Sequence, residues 1–484
     1  MKRTLGFLMS FLLMWQLSFA QTKSKIYFSN KFSADTVKHT IYALTKELSL
    51  KQPGFYRYYS KDYFNRYIDS VISTVNDSLT EMETYLKIKP VISKISCLHT
   101  GISLPREYKD EQDKLPNLFP FNLCFINDKT YIVKNYSNVL AISPGDELIT
   151  VNGRKMSDIV DQLFTLIPSD GYNTTLKYRM LDMQFPLWYR NIDPTENFSV
   201  LIKQNNAEKT CSIKGLKYAE LSADGFLKEP VRTKQLEFAI INELAILTIH
   251  SFSKTDIKKT DQNFKKFIDQ AFLELASKKI KNLIVDLRDN TGGSDPYAAY
   301  FTSYFFDAPF RYWDRIEVTE AIAKEIKGPT VRLFYNKPVQ KDSVWLWQKG
   351  KHVDDFDFYE TLQPAKNNFK GKSYVLINGF CMSSCADVAA VLSYHKKAVF
   401  IGQETGGGYQ GNNSGMIPQT KVDPFGFELT VPLQKFYNYV DSTKDIGRGT
   451  MPDYPVNLTI QEILNGNDAE MKFVIDLIKN GGKN

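Results

Sequence analysis

Residues 373–387 read SYVLINGFCMSSCAD, and this stretch decides the fold because it joins a strand to a helix through a sharp turn. The segment up to Gly379 is rich in apolar β-forming residues, which predicts a buried strand. A helix is predicted to begin near Ala386. Ser384 then lies at a helix amino terminus, where free N–H groups and the helix dipole stabilise a negative oxygen, as a serine nucleophile requires. A capping role is the alternative, because Asp387 follows Ser384 at the capping-box spacing.

Strand and helix patterns alternate on both sides of this turn, from Leu236 onward. Further strands are predicted in LAILTIHSF (244–252), NLIVDLR (282–288) and AVFIGQE (398–404), and a helix in TDQNFKKFIDQAFLELASKK (260–279). This alternation predicts a parallel or mixed sheet covered by helices. The predicted fold class is therefore α/β and multidomain, with an α/β core over residues 218–484.

Two regions precede the core. In residues 21–114, TVKHTIYALTKEL (36–48) and YFNRYIDSVISTVNDSLTEMETYL (63–86) have the amphipathic spacing of helices, and the helical part is predicted to end near Pro90. In residues 115–217, FNLCFIND (121–128), TYIVKN (130–135) and DELITVNG (146–153) alternate like strands, and MSDIVDQLFTLI (156–167) reads as one helix. The second region is therefore predicted to be a small strand-rich module.

The first twenty residues, MKRTLGFLMSFLLMWQLSFA, have the layout of a secretory signal peptide. Lys2 and Arg3 precede an apolar run, and Ser18 and Ala20 have the spacing of a cleavage site. The apolar run is shorter than the roughly 20 residues that a membrane span needs. We expect cleavage after Ala20, and a protein that is periplasmic or secreted.

The composition excludes several classes of function. The net charge of +7 comes from scattered lysines without a basic block, so no nucleic-acid partner is expected. Five cysteines are too few for a disulfide framework, and Cys381 and Cys385 are interpreted as small buried side chains. No zinc-binding HExxH, phosphate-binding loop or dinucleotide fingerprint is present, so neither a metal nor an organic cofactor is expected.

Two glycine-rich segments follow predicted strands. Gly292 and Gly293 end the segment DLRDNTGG (286–293), where paired glycines allow a sharp turn that presents bare N–H groups to a cleft. Such donors can form half of an oxyanion hole. The segment GQETGGG (402–408) is predicted to form a wall that a peptide backbone can approach closely.

The general base was sought among the five histidines. His395 lies on the same predicted helix as Ser384, roughly 16 Å away at 1.5 Å per residue, which is too far. His39 lies in the predicted helical region, His250 ends an apolar strand and is interpreted as packed, and His352 lies in a Lys- and Asp-rich stretch that is interpreted as solvated. His99, between an apolar stretch and a glycine, remains the best candidate.

The order of these segments resembles that of the C-terminal processing (tail-specific) serine peptidases and the related tricorn core. That family has an Asp-Leu-Arg-x-Asn-x-Gly-Gly strand end, a Ser-x-x-Glu/Asp helix start and a Gly-Glu-x-Thr-x-Gly segment, which correspond to residues 286–293, 384–387 and 402–407. AISPGDELITVNGRKMSDIVDQL (141–163) resembles the core of a PDZ domain, which usually precedes the core in this family. A PDZ fold implies capture of an extended peptide tail. A purely structural role for this module is the alternative.

The resemblance also bears on the base. Family members of the Ser-Lys type have a lysine where this chain has Gly408, so the resemblance points to the tricorn branch. The histidine of that branch, in an x-His-Thr segment, matches His99. The serine that precedes it there is replaced by Leu98, which leaves open the group that orients His99. A late acidic residue completes the branch's tetrad, and Asp445, ahead of GTMPD (449–453), is the nearest match.

The resemblance implies acyl transfer by an exported serine endopeptidase with a PDZ-like module for substrate C-termini. His99 would take the proton of Ser384, and N–H groups of Cys385 and of Gly292 or Gly293 would hold the oxyanion. Polypeptides are the expected substrates, and the oligomeric state is open. Two alternatives are a non-catalytic peptide- or lipid-binding protein on the same fold, and a hydrolase of small esters that uses the same Ser-His pair.

Overall fold

A computed structural model describes residues 30–228, 231–325 and 335–481. The predicted signal peptide at residues 1–20 lies outside the described residues. No helix in the described ranges combines the length and the apolar character that a bilayer crossing requires.

The amino-terminal region is built from four helices. Ser33, Ser60 and Thr80 each accept a main-chain N–H at a helix start, which fixes where three of these helices begin. The elements are β1 (Lys31–Phe32), α1 (Ala34–Lys51), α2 (Lys61–Ser73), β2 (Leu79–Thr80), α3 (Glu81–Ser93), β3 (Gly101–Ser103) and α4 (Arg106–Gln112).

Two details of the predicted helices need correction. The helical pattern over residues 63–86 belongs to two helices, because Thr80 and Glu83 form a capping box that starts α3. The helix also continues past Pro90 and ends at Ser93, so the proline does not end it.

The strand-rich region forms one antiparallel sheet in the order β4-β5-β6-β8-β9, with β7 paired to β6. The structure has two helices here, where the sequence predicted one. The second, α6, contains Pro186 and a non-helical Gln184, which interrupt the periodic pattern that would have revealed it. The elements are β4 (Phe121–Ile126), β5 (Lys129–Asn135), β6 (Glu147–Val151), β7 (Arg154–Lys155), α5 (Met156–Leu166), α6 (Thr175–Ile192), β8 (Asn197–Gln204) and β9 (Ala207–Lys214). The assignment of this strand-rich region as a PDZ domain stays a prediction, and so do the predicted domain boundaries.

The remaining chain contains the elements α7 (Tyr218–Leu221), β10 (Leu236–Ile241), β11 (Leu244–Ile249), α8 (Lys254–Lys259), α9 (Phe264–Ser277), β12 (Asn282–Asp286), α10 (Asp295–Thr302), β13 (Phe310–Arg311), β14 (Trp313–Val318), α11 (Glu320–Glu325), β15 (Tyr335–Lys341), β16 (Val344–Lys349), β17 (Thr361–Leu362), β18 (Lys372–Ile377), α12 (Ser384–Tyr394), β19 (Val399–Gly402), β20 (Asn413–Ser414), β21 (Gln419–Val422), β22 (Phe427–Thr430), β23 (Gln434–Asn438), β24 (Tyr454–Pro455), α13 (Ile460–Leu464) and α14 (Ala469–Lys479).

A six-stranded sheet in the order β10-β11-β12-β18-β19-β24 forms the centre of this part. All neighbours from β11 to β24 are parallel, and only β10 runs antiparallel. The predicted α/β core and its strands are confirmed. Because parallel strands end at the same edge, the loops after β12, β18 and β19 meet there. These loops carry the three segments that the sequence singled out.

Two further sheets connect the core to its surroundings. A five-stranded antiparallel sheet has the order β15-β16-β14-β23-β20. A three-stranded sheet joins β21 and β22 to β3, with Ile102 opposite Leu429. The amino-terminal helices therefore share a hydrophobic cluster with residues 422–431. This packing joins the segment that carries His99 to the α/β core.

Candidate active site

Ser384 is the first residue of α12, two residues earlier than predicted. The residue before it, Ser383, has φ 51° and ψ −133°, a conformation that non-glycine residues rarely adopt and that turns the chain sharply into the helix. No side chain caps this helix, so the capping alternative for Ser384 is not realised. Asp387 instead accepts hydrogen bonds from the Asn412 side-chain amide at 3.2 and 3.1 Å.

The Ser384 side chain is fully buried, with 0% of its surface exposed. Its Oγ has no hydrogen-bond partner in the part of the chain that the structure describes. A buried hydroxyl without a partner is costly, and such groups concentrate at functional sites.

The glycine pair after β12 lies directly against this turn. Gly292 has φ +94°, and a Cβ placed on it would lie 2.8 Å from the Met382 carbonyl oxygen and 3.0 Å from the Ser384 nitrogen. Asn290 holds the loop in place, since its carbonyl accepts the Met382 N–H at 3.2 Å. Only glycine fits this position without moving the turn that carries Ser384.

The three predicted oxyanion donors differ in whether their N–H groups already have a hydrogen-bond acceptor. The Gly292 N–H donates to Oδ1 of Asn290 at 2.9 Å, and the Cys385 N–H donates to the Met382 carbonyl at 3.0 Å. Among the described residues, the N–H of Gly293 has no acceptor, and Gly293 is exposed. Gly293 is thus the predicted donor that is free to bind a ligand oxygen.

His99 lies in the loop between α3 and β3, half-buried, and its Nδ1 is buried without a partner among the described residues. Burial lowers the pKa of His99 to about 4, and a hydrogen bond to the Asn413 main chain acts in the opposite direction. The imidazole is therefore neutral at pH 7, as a general base must be. The Asn413 main chain thus favours the charged form of His99, a contribution that no side-chain pattern could have revealed, and the group that orients the ring stays open.

Asp170 holds the His99 loop against the glycine-rich wall. Its Oδ1 accepts the Leu98 N–H at 3.0 Å, and its Oδ2 accepts the Gly408 N–H at 3.3 Å. Burial raises the pKa of Asp170 to about 6. The sequence analysis missed this residue, because a lone aspartate in a polar loop gives no signal.

Neighbouring asparagines connect the His99 segment to α12. Asn412 bonds to Asp387 on α12, and the next residue, Asn413, bonds to His99. The structure thus brings the segments of Ser384 and His99 together, although no hydrogen bond joins the two side chains in the described residues. Catalytic hydrogen bonds are often long or absent before substrate binds.

Within the described ranges, no hydrogen bond or ion pair joins Asp445 to His99. Its carboxylate lies 3.8 Å from the ammonium of Lys444, and its carbonyl accepts the Arg448 N–H at 3.0 Å. Its catalytic role stays a prediction. The nearby buried carboxylate of Glu404 is bound instead by Arg448, at 3.0 and 2.6 Å.

The other candidates have structural surroundings. His250 Nε2 lies 2.9 Å from Glu237, and all five cysteines are buried free thiols. The described residues contain no group of three histidine, cysteine or acidic side chains that could hold a metal ion.

Comparisons with known proteins bear on this site. Residues 243–456 match the family model of peptidase family S41. The fold is similar to that of mature CPAF, with a TM-score of 0.60 and 14% identity, over 93% of this chain and 99% of that chain. The photosystem II D1 C-terminal processing protease gives a TM-score of 0.38 at 12% identity, over 90% of this chain and 98% of that chain. No curated protein sequence matches the chain.

Proposed function

We propose that this chain, whose residues 243–456 match the model of peptidase family S41, is an exported serine endopeptidase with Ser384 as nucleophile and His99 as general base. The observation that carries this proposal is the Ser384 hydroxyl. It is buried, lacks a partner in the described chain, and stands at a helix amino terminus beside the turn at Gly292.

The proposed reaction is acyl transfer. Neutral His99 takes the hydroxyl proton as Ser384 Oγ attacks the peptide carbonyl, and a tetrahedral oxyanion forms. The free Gly293 N–H and the amino terminus of α12 stabilise this charge, and one such donor typically contributes about a hundred- to a thousandfold in rate. Protonated His99 then gives its proton to the leaving amine, and water hydrolyses the acyl-enzyme with His99 again as base.

Two residues position this pair without touching the reacting atoms. Asp170 fixes the His99 loop through Leu98, and Asp387 fixes Asn412 beside the asparagine that bonds His99. Because Ser384 is fully buried in the described conformation, a polypeptide must displace the groups that cover it before attack. Binding energy from the rest of the substrate is the natural source of this displacement.

The β4–β9 sheet with α5 and α6 is proposed to bind the carboxyl-terminal segment of the substrate. Support comes from the sequence AISPGDELITVNGRKMSDIVDQL, which resembles a PDZ core and lies on β6, β7 and α5. Export is proposed on the basis of the signal-peptide pattern in residues 1–20.

The test is cleavage of an unstructured polypeptide by the purified mature protein. We expect fragments with the wild type and none with Ser384→Ala or His99→Ala. His250→Ala is the matched histidine control, because the His250 ring pairs with Glu237 and forms no hydrogen bond to the His99 loop within the described residues, and this variant should cleave normally. Cleavage by Ser384→Ala at the wild-type rate would show that the nucleophile is another residue.

A further inference from the structure

A cavity of about 510 Å³ opens beside the candidate active site on the side of Gly293. Its apolar walls come from the five-stranded sheet, through Ile316 on β14, Trp347 on β16 and Phe436 on β23. These walls are rigid, because all three side chains are almost completely buried. They suit the aliphatic part of a side chain.

The cavity borders the segments that carry both halves of the proposed catalytic machinery, although neither Ser384 nor His99 is among its lining residues. Gly293, whose N–H is free, lines it directly and follows Gly292, which lies against Ser384. Gly415 lines it on another side and comes shortly after Asn413, which bonds His99. A peptide carbonyl held at Gly293 would therefore place a neighbouring substrate side chain in this cavity.

Two carboxylates line the cavity, those of Asp295 and Asp357. Neither side chain forms a hydrogen bond or an ion pair in the part of the chain that the structure describes. Burial raises the pKa of Asp357 to about 6, and burial together with the charge of Asp357 raises that of Asp295 well above its usual range. The charge of Lys254 acts to lower both pKa values, but neither carboxylate has a counter-ion in direct contact among the described residues.

The cation of the cavity lining is Lys254, which compensates the two carboxylates only in part and from a distance. The ammonium of Lys254 lies 5.5 Å from the centroid of the Tyr297 ring and makes no ion pair with either carboxylate. The hydroxyl of Ser294 is buried without a partner within the described ranges, and so offers a further acceptor. The cavity thus has apolar walls, several oxygen acceptors, and two carboxylates to one ammonium.

We propose that this cavity binds a lysine or arginine side chain next to the scissile bond of the substrate, with Asp295 and Asp357 pairing with its cationic end. The aliphatic stem lies along Ile316, Trp347 and Phe436. This assignment rests on the proposed peptidase function, and it adds a substrate class to that function. A guanidinium has enough N–H donors to satisfy both carboxylates and the Ser294 hydroxyl together.

The test measures binding without catalysis, by titration calorimetry with the Ser384→Ala protein. The probes are Ac-Ala-Ala-Arg-Ala-Ala-NH2 and the same peptide with citrulline, which has nearly the same shape without the charge. We expect the arginine peptide to bind at least about tenfold more tightly than the citrulline peptide, because a partly buried ion pair is stronger than a neutral hydrogen bond. Asp357→Asn should remove most of this difference.

Asp355→Asn is the matched control, because Asp355 stands two residues away, is exposed and pairs with Lys349 at 2.8 Å outside the cavity. It should keep the full preference for arginine. Equal binding of the two peptides, or a preference that both Asp295→Asn and Asp357→Asn retain, would overturn the assignment.

Cleavage-site mapping on an unstructured polypeptide separates this inference from the proposed function. If the wild type cleaves but shows no enrichment of lysine or arginine beside the cleaved bond, the cavity assignment fails and the peptidase stands. If the arginine preference in binding is present but no cleavage occurs, the assignment stands and the proposed catalytic function fails.

Discussion

Gly292→Ala should separate the geometry of the nucleophile turn from general backbone strain. A non-glycine residue at its φ of +94° is strained by about 1–2 kcal/mol. The added Cβ would also lie 2.8 Å from both the Met382 oxygen and the Ser383 Cβ, and 3.0 Å from the Ser384 nitrogen. Relieving such overpacking typically costs about 1–3 kcal/mol, so the total loss of unfolding free energy should be about 2–5 kcal/mol.

Activity should fall further than stability explains. The atoms that must give way are those of the turn before Ser384, and a displacement of about 1 Å at a reacting group costs on the order of a hundredfold in kcat. Gly153→Ala is the control, because Gly153 also has a positive φ, +76°, but no atom lies within 4 Å of its added Cβ. It should lose only about 1–2 kcal/mol of stability and keep its kcat.

The measurements are urea denaturation and kcat per folded molecule on an unstructured polypeptide. If folded Gly292→Ala protein retains the kcat of Gly153→Ala, the loop of Gly292 does not position the nucleophile.

Three further predictions follow from the surroundings of the site. Because the pKa of His99 is lowered to about 4, the acid limb of kcat/KM should have its midpoint well below 6. The folded state should also lose stability as pH falls from about 6.5 to 4, since the unfolded chain binds the proton more readily over this range. A kinetic midpoint near 7 would contradict the lowered pKa. Arg448→Met should lower the unfolding free energy by about 1–3 kcal/mol, because the buried Glu404 carboxylate then keeps only the Gly449 N–H as a partner, whereas Lys444→Met, at an exposed side chain, should change it by less than about 0.5 kcal/mol; equal losses in denaturation would show that the Arg448–Glu404 pair does not stabilise the fold. Asp170→Asn should lower the unfolding free energy by about 1–3 kcal/mol, because an amide N–H₂ then faces one of two main-chain donors. It should also lower kcat more than it changes KM. Unchanged kinetics would exclude a positioning role for Asp170.

The sequence predicted the core well because its signals are local. The buried strands β11, β12, β18 and β19 are short apolar runs bounded by glycine or polar turns, and each was located from that pattern alone. The place of Ser384 at a helix start follows from the same strand-turn-helix order. The helix α6 was missed because Pro186 and the kink at Gln184 interrupt its period.

Contacts between distant segments could not be predicted in the same way. Asp170 lies far along the chain from both Leu98 and Gly408, and only the folded chain brings the three together. The Asn413 carbonyl that bonds His99 is a main-chain group, which any residue type could supply. The N–H groups of Gly292 and Cys385 donate to acceptors in their own turns. Whether they do so depends on the geometry of these turns, which cannot be read from the amino-acid composition.

The most direct test of the central claim is covalent labelling by a fluorophosphonate, followed by mass spectrometry of the labelled peptide. We predict a single adduct on Ser384, loss of labelling in Ser384→Ala, and retained labelling in Ser383→Ala, whose side chain makes no cap contact. An adduct on another residue, or undiminished labelling of Ser384→Ala, would contradict the assignment of Ser384 as the nucleophile.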